Sequence, residues 1–447
     1  MHSEDTSGFR LVGHSDLDGH GDGMQVMPWG DVLYVAHFGP SGKGTSILDI
    51  SDPTEPRLSR QWDAPAGSHT HKVQVADGLL MVNHELFRSE GPAPVGMAIY
   101  DLEDPFDPRR VGFLDTGGRG VHRIVYEGGG LAYISATPDG FTGRIWLIVD
   151  VSDPTRPTEV GRWWWPGMWQ AGGENLEAPA TEEWLVHHGM VHDDRAYVGF
   201  WDGGMVVVDI SDPTAPKTVS RLGWDEGGHT HTALPLPDRD LVVVTDEAIT
   251  DGCDGDRHMV RIVDVSDETA PYVRSICPVP EGDFCDRGLR FGAHCLHENR
   301  PNSYRSEELM FVTYFNAGLR VYDISDPDQP EDVAHWIPEC PPGQAAAQIN
   351  DLYVSEDFTV YATDRVNGGV YILEPDVALS ARMTQAALSA NPGFTASLSD
   401  ATNPGFVVCP PGPTRFLASR LQLAAKVGPC TPRTDSSMRG PRWPRAR

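Results

Sequence analysis

Five histidines in this chain recur at similar positions of a repeated segment and are candidate metal ligands. They lie in the segments "SHTHKVQV", "RGVHRIVY", "LVHHGMVH", "GHTHTALP" and "GAHCLHEN". Neutral imidazole binds iron, copper, zinc, nickel and manganese, so imidazoles that converge would form a metal site. The alternative is that each histidine is a structural residue bonded to the backbone of a polar channel. The predicted ligands are His71, His122, His188, His231 and His294.

Residues beside these histidines are predicted to form a second layer. Side chains alternate along a strand, so residues two apart share a face. His69 therefore accompanies His71, and His187 is expected to point away from the channel if His188 points into it. Alignment of the first and last repeats with the others adds Asp22 and Asn350. His297 lies three residues after His294, so it can join this layer only if the chain bends there. The predicted second layer comprises Asp22, His69, His229, Asn350 and His297.

Two carboxylates are predicted to lie at the same mouth as the histidines. Glu85 in "VNHELF" and Glu247 in "VTDEAIT" both end the second β-type run of a repeat. Carboxylates beside a metal site commonly orient histidine ligands. We therefore assign Glu85 and Glu247 a catalytic, ligand-orienting role.

A repeat of about 50 residues must position these side chains. Segments such as "LIVDVSDPTRP" and "VVVDISDPTAP" recur seven times at separations of 49 to 59 residues. Each unit holds four short runs rich in Val, Ile, Tyr and Trp, separated by Gly, Asp and Pro. This period is typical of a β-propeller. The sequence predicts an all-β, seven-bladed propeller with four-stranded blades over residues 8–375, whose first strands line a central channel.

Two connections are predicted to contribute substrate contacts at the mouth of the channel. The segment "GRWWWPGMWQAGGENLEAP" links two repeats, and an aromatic lid would suit an apolar substrate. The candidates in it are Trp165, Met168 and Trp169. In "CPVPEGDFCDRGLRFGAH", Arg287 or Arg290 could bind a substrate carboxylate, and a surface salt bridge is the alternative.

Composition excludes some classes of partner. The formal net charge is −29, which disfavours nucleic acid and anionic membrane surfaces because both are bound mainly through Lys and Arg. No apolar run is long enough to span a bilayer. No signal peptide is visible, which predicts a cytoplasmic protein without excluding export. The seven cysteines are scattered, which argues against a disulfide framework and leaves a local disulfide open.

Residues 376–447 break the repeat. This segment is basic and rich in Pro, Ser, Gly and Arg. Such a composition predicts a disordered, low-complexity tail with at most a short helix at "MTQAALSA".

The repeats resemble those of the LVIVD-repeat family. The segments "LIVDVSDPTRP", "SHTHKVQV", "RWWWPGMWQAGGE", "VHHGMV" and "GLRVYDISDP" are similar to segments of its long propeller members, and the resemblance covers about residues 8–375. It implies a seven-bladed propeller and little about activity. A more distant architectural similarity links the chain to selenium-binding methanethiol oxidases and carotenoid cleavage oxygenases, which are propellers with axial, histidine-bound metal.

Three functions fit these features. The first is a metal-dependent oxidoreductase acting on a small to medium apolar or aromatic molecule, with iron or copper, or alternatively manganese or zinc. The second is a lyase or hydrolase that uses the same metal as a Lewis acid. The third is a non-catalytic interaction module. The sequence does not indicate the oligomeric state.

Overall fold

The computed structural model describes residues 4–39, 41–86, 92–255 and 257–390. The described residues form seven antiparallel four-stranded sheets arranged as the blades of a propeller, which confirms the predicted fold. The innermost strands of neighbouring blades contact one another, and contacts between the last and first blades close the ring. Residues at equivalent positions of these inner strands therefore face a common axis.

Five of the blades are built from four consecutive strands. Blade 1 contains β3 (Gly23–Trp29), β4 (Val32–His37), β5 (Lys43–Asp49) and β6 (Arg57–Asp63). Blade 2 contains β7 (Val73–Ala76), β8 (Leu79–His84), β9 (Gly96–Asp101) and β10 (Arg109–Asp115). Blade 3 contains β11 (Gly120–Val125), β12 (Leu131–Thr137), β13 (Ile145–Asp150) and β14 (Thr158–Trp163). Blade 4 contains β15 (His188–His192), β16 (Arg195–Gly199), β17 (Met205–Asp209) and β18 (Lys217–Leu222). Blade 5 contains β19 (Thr230–Leu236), β20 (Leu241–Asp246), β21 (Val260–Asp264) and β22 (Tyr272–Ile276).

The other two blades recruit strands from the start of the chain. Blade 6 contains β23 (Leu309–Thr313), β24 (Leu319–Asp323), β25 (Glu331–Ile337) and, at its edge, β1 (Asp5–Ser7). Blade 7 contains β26 (Ile349–Val354), β27 (Val360–Asp364), β28 (Gly369–Pro375) and β2 (Phe9–Ser15). Pairing of β2 with β28 joins the two ends of the propeller. The inner segment of blade 6 is irregular and pairs with β23 through single bridges such as Leu296 with Val312.

The repeated acidic turn ends the third strand of a blade by hydrogen bonding its own backbone. In blade 1 the Asp49 carboxylate accepts the Ser51 N–H at 2.9 Å, and the Asp52 carboxylate accepts the Thr54 N–H at 3.0 Å. The same bonds recur in blades 3, 4 and 5. Local side-chain bonds of this kind favour turns over continued strands. The repeat thus sets the spacing of the strands.

One helix follows the last blade. The helix α1 (Val377–Ala390) packs Leu379, Met383 and Ala386 into the core between blades 6 and 7. It begins six residues before the segment in which the sequence predicted at most a short helix. Residues 391–447 of the predicted tail lie outside the described residues. Within the described part of the chain, no helix is long and apolar enough to cross a membrane.

A disulfide joins Cys253 and Cys285, which are 32 residues apart. It links the loop after β20 to the loop that carries Arg290, beside a backbone bond from the Gly252 N–H to the Leu289 carbonyl. The sequence left a local disulfide open, and the meeting of these two loops identifies its partners.

Candidate metal centre on the propeller axis

A cavity of about 680 Å³ opens on the axis at one face of the propeller. This volume lies within the range of small-molecule sites. Its walls come from equivalent positions of the inner segments of blades 1 to 6. These residues are Met24, His71, His122, His187, His231 and His294.

The fourth blade contributes His187 to the cavity, so the prediction of His188 was wrong. The His187 N–H donates to the carbonyl of Gly199 at 2.8 Å, and Gly199 is also the residue that pairs with His188. Two consecutive residues therefore oppose one, as in a β-bulge, which breaks strict alternation. His188 instead places its Nε2 3.3 Å from the Glu298 carboxylate, outside the described lining of the cavity.

Similar irregularities occur in other inner strands. The pairing register shifts at His122 in blade 3, at His231 in blade 5 and at Asn350 in blade 7. At each shift the next residue is also buried, so an inner layer of side chains forms beside the cavity histidines. This inner layer contains Arg123, His188, Thr232, Cys295 and Asp351, and also Lys72, which lines the cavity. In blades 3, 5 and 7 the bulges thus place two consecutive polar residues in the interior.

Hydrogen bonds fix the tautomers of three cavity histidines. The Nδ1 of His122 lies 2.9 Å from the Glu85 carboxylate, that of His187 lies 3.1 Å from the His231 carbonyl, and that of His294 lies 2.7 Å from the Asn350 carbonyl. These partners only accept, so each Nδ1 carries the proton. The Nε2 of each neutral ring consequently offers a lone pair. Metal-binding histidines are held in the same way by an outward Nδ1–H bond.

His231 fits the same arrangement. Its Nδ1 lies 2.7 Å from the Thr232 hydroxyl, which can accept a hydrogen bond. Its ring centroid is 4.0 Å from that of His187 and 4.3 Å from that of His294. His122, His187, His231 and His294 therefore form one continuous set, which we call the axial quartet.

His71 has a different tautomer. The Asn83 amide nitrogen donates to the Nδ1 of His71 at 3.2 Å, while the Asn83 oxygen accepts the Lys72 N–H at 2.8 Å. This orientation leaves the proton of the neutral His71 ring on Nε2, which has no hydrogen-bond partner among the described residues. His71 therefore presents a donor to the cavity, whereas the sequence predicted a ligand.

Burial keeps the axial quartet uncharged. Loss of solvation lowers the pKa of His122 to about 4 and that of His294 to about 3. It lowers the pKa values of His187 and His231 well below their usual range. Four neutral imidazoles are in the protonation state that a metal requires.

The two predicted carboxylates lie beside the quartet, on opposite sides. Burial alone would raise the pKa of Glu85, but His122 and His69 outweigh it and hold that pKa well below its usual range. Burial would also raise the pKa of Glu247, but His294 and Arg290 help to lower it to about 2. Both carboxylates are therefore ionised. The Oε1 atom of Glu247 lies 3.7 Å from the Nε2 of His294 and 3.0 Å from Arg290.

Among the described residues, three groups bring ligand atoms within 4.8 Å of one another. The group of His187, His231 and Glu247 fits a metal best, because His187 offers a free Nε2 lone pair, His231 offers one when the Thr232 hydroxyl accepts from its Nδ1, and Glu247 is ionised. In the group of His69, His71 and Glu85, the Nδ1 of His71 already accepts a bond from Asn83. The third group is His231, His294 and Cys295. There the Nδ1 of His294, 3.5 Å from the Cys295 sulfur, is protonated.

Three residues of the predicted second layer, His69, Asn350 and His229, lie in or directly behind the cavity wall. His69 lines the cavity and stacks on His71 with centroids 3.9 Å apart. Asn350 acts from behind through its carbonyl bond to His294, and the Nδ1 of His229 lies 3.2 Å from the Glu247 carbonyl. Neither side chain belongs to the described lining of the cavity.

The remaining two predictions for this layer were wrong. Asp22 lies two residues before the position equivalent to the ring histidines, which is Met24, and bonds to His37 at 2.7 Å. His297 donates from Nε2 to the Tyr304 carbonyl at 2.8 Å, outside the described lining. The register shift in β3 explains why Asp22 was misplaced. Matching similar sequence segments, as was done to place Asp22, cannot detect a shift in strand pairing.

The tryptophan loop does not supply the predicted lid. The described lining of the cavity includes none of Trp165, Met168 and Trp169. Met168 is fully buried in the core, and Trp169 is 42% exposed. The loop folds on itself because the Glu174 carboxylate accepts the N–H groups of Gly167 and Trp169. The prediction of an aromatic lid was therefore wrong, because the loop closes on Glu174 and packs Met168 into the core.

Several cavity residues were missed by sequence reasoning. The aromatic walls are Phe38 and Trp201, and the ring of Trp201 stacks on His187 at 5.5 Å. Arg290 lines the cavity as predicted, paired with Glu247. Two lining cations, Lys72 and Arg144, were missed, and Arg365 also lines the cavity. Lys72 directly follows His71, which was the available signal, because a bulge turns consecutive residues inward.

Comparison with known proteins identifies the repeats. The LVIVD repeat family matches residues 20–64, 129–163, 190–222 and 306–333, so the predicted LVIVD repeats are confirmed. No curated protein sequence matches the chain.

Several solved structures match the chain at low identity and with TM-scores below 0.5. The WD40 propeller domain of Doa1 is 11% identical, with a TM-score of 0.49 over 85% of this chain and 99% of that chain. A hypothetical selenium-binding protein from Sulfolobus tokodaii is 14% identical, with a TM-score of 0.46 over 84% of this chain and 92% of that chain. A protein from Lactobacillus plantarum is 14% identical, with a TM-score of 0.47 over 79% and 94%. Similarity at this level concerns the fold alone.

Proposed function

We propose that this chain of LVIVD repeats is a metal-dependent oxidoreductase in which residues of the axial quartet, together with Glu247, bind one transition metal, iron or copper. The observation that carries the proposal is the shared orientation of four neutral imidazoles. Outward bonds from Nδ1 hold each ring so that Nε2 faces the same cavity. If these histidines were only structural, their Nε2 atoms would not need to face the same cavity without hydrogen-bond donors.

The spacing of two quartet atoms fits shared coordination. The Nε2 atoms of His122 and His187 lie 3.1 Å apart, and both are lone-pair atoms that cannot bond to each other. Nitrogen atoms bound to one metal at about 2.1 Å are separated by about 3.0–3.4 Å. An ion bound between them would remove the repulsion between the two lone pairs.

The donor set favours redox chemistry. Imidazole nitrogens with a nearby carboxylate suit iron and copper, and such a metal would exchange electrons with dioxygen or substrate. Glu85 holds His122 in position, and Glu247 sets the charge on the side of His294. The aromatic walls Phe38 and Trp201 would hold an apolar or aromatic portion of a small-molecule substrate.

Metal content tests the proposal. Full-length protein without a polyhistidine tag would be purified without chelators, and its metals quantified by mass spectrometry beside a His122→Ala/His231→Ala variant. A His192→Ala variant is the control, because His192 is a surface residue at the end of β15. We expect about one iron or copper per chain in the wild type and control, and loss in the double variant.

Other outcomes would change the assignment. Stoichiometric zinc or manganese, with activity independent of oxygen, would favour a lyase or hydrolase in which the metal acts as a Lewis acid. Absence of stoichiometric metal from all three proteins would overturn the proposal and favour a non-catalytic interaction module.

A further inference from the structure

The axial cavity has two chemically different walls. Blades 3 to 6 supply the lone pairs of the axial quartet. Blades 2 and 7 supply three hydrogen-bond donors instead. This second wall, which we call the donor wall, consists of Arg365, His71 and Lys72.

Lys72 is the most unusual residue of the donor wall. It is 2% exposed and lines the cavity. Its ammonium forms no hydrogen bond or ion pair with the described residues, whereas the other deeply buried cations, Arg123 and Arg261, are paired with carboxylates. A buried charge without a partner destabilises a fold. Its position at a cavity indicates that it binds something that enters the cavity.

The other two members of the wall also have unused donors. The Nε2–H of His71 and one terminal nitrogen of Arg365, Nη1, are buried and lack hydrogen-bond partners among the described residues. Nη1 lies 3.8 Å from Glu247, too far for a hydrogen bond. The guanidinium of Arg365 also lies 4.6 Å from the ring centre of Phe38. Three donors and an aromatic face therefore occupy the same side.

The charge of the buried lining agrees with this inference. Glu247 is the buried carboxylate of the described lining, and Arg290 pairs with it at 3.0 Å. The whole described lining holds four cations, Lys72, Arg144, Arg290 and Arg365, against three carboxylates, Glu183, Glu247 and Asp251, an excess of one positive charge. The chain as a whole has a net charge of −29, so a cationic interior is a local feature.

We propose that the substrate is a carboxylate, whose anionic group binds Lys72, His71 and Arg365 while its apolar part extends toward the axial quartet. A carboxylate offers two acceptor oxygens, enough for several donors at once. The inference rests on the proposed function, because it names the substrate class of the same cavity.

Calorimetric titration with benzoate and its neutral analogue benzamide tests this inference. The full-length protein as purified would be compared with Lys72→Met and Arg365→Gln variants. Lys217→Met is the control, because Lys217 is an exposed residue of β18. We expect benzoate to bind at least about tenfold more tightly than benzamide, and each donor-wall variant to lose about tenfold for benzoate only. The control should match the wild type.

A second arm separates this inference from the proposed function. The titrations would be repeated in the His122→Ala/His231→Ala variant, which lacks two quartet ligands and retains the donor wall. Preference for benzoate that survives there and disappears in Lys72→Met supports the donor wall whether or not metal is found. Equal binding of benzoate and benzamide, or unchanged benzoate affinity in both donor-wall variants, would overturn the inference even if the protein contains metal.

Discussion

The Nε2 atoms of His122 and His187 lie 3.1 Å apart although 65 residues separate them in the chain. His122 lies in β11, the first strand of blade 3, and His187 immediately precedes the first strand of blade 4. Their Nδ1 atoms donate in different directions, to Glu85 and to the His231 carbonyl. Separate hydrogen bonds therefore hold the two imidazole rings, and their Nε2 atoms meet in the cavity.

Separate substitution of the two adjacent histidines of blade 4, His187 and His188, gives the sharpest test of the site. We expect His187→Gln to lower metal content at least about tenfold, because it removes an Nε2 ligand, whereas His188→Gln should retain the metal. Metal per folded chain would be measured after circular dichroism has verified folding. The reverse pattern would mean that His188 is the ligand and that the position of the bulge is wrong.

Glu85 should affect the metal through His122. A Glu85→Gln variant keeps the shape but replaces the carboxylate with a neutral acceptor, so the imidazole of His122 becomes a weaker base. We expect metal affinity to fall about 10–100-fold, the usual effect of altering an orienting carboxylate. Competition with a chelator measures this change. Glu331→Gln on the exposed strand β25 is the matched control, and equal affinities in the two variants would exclude this role.

Removal of the buried charge of Lys72 should stabilise the protein. Burial lowers the pKa of its ammonium to about 8, which shows that the fold disfavours the charged form. We expect Lys72→Met to raise the free energy of unfolding at pH 7 by about 1–3 kcal/mol. Urea unfolding at equilibrium gives the measurement, with Lys217→Met as control. A loss of stability would instead indicate that Lys72 has a structural role.

His297 should make stability depend on pH below neutrality. It donates to the Tyr304 carbonyl and accepts the Val354 N–H at 3.2 Å, and burial lowers its pKa to about 4. The unfolded chain binds this proton near pH 6.5, so the stabilisation is complete above pH 6.5 and is lost as the pH falls toward 4.

A His297→Gln variant isolates this contribution. Glutamine can make both hydrogen bonds but does not titrate. We expect the wild type to lose about 1–3 kcal/mol more than the variant between pH 7 and pH 4.5 in urea unfolding. Parallel pH profiles for the two proteins would contradict the assignment.

Much of the fold was readable from the sequence because its signals are local. The acidic turn of Asp49 and its counterparts is a short-range hydrogen-bond pattern that repeats with the blade. The spacing of these turns indicated the number of blades, and short runs rich in Val, Ile, Tyr and Trp indicated the strands. The same regularity placed His122, His231 and His294 on one axis, and Glu85 and Glu247 beside them.

Tertiary structure decided the residues for which the local pattern breaks. Bulges turned His187 rather than His188 toward the cavity and brought Lys72 inward beside His71, because an inserted residue changes which side chains share a face. The tryptophan loop closed on Glu174 and not over the cavity. Tautomers also required the fold, since the partners of His71 and His294 come from different strands or blades. The sequence by itself determined the propeller and the convergence of histidines, and three-dimensional contacts determined which atoms face the cavity.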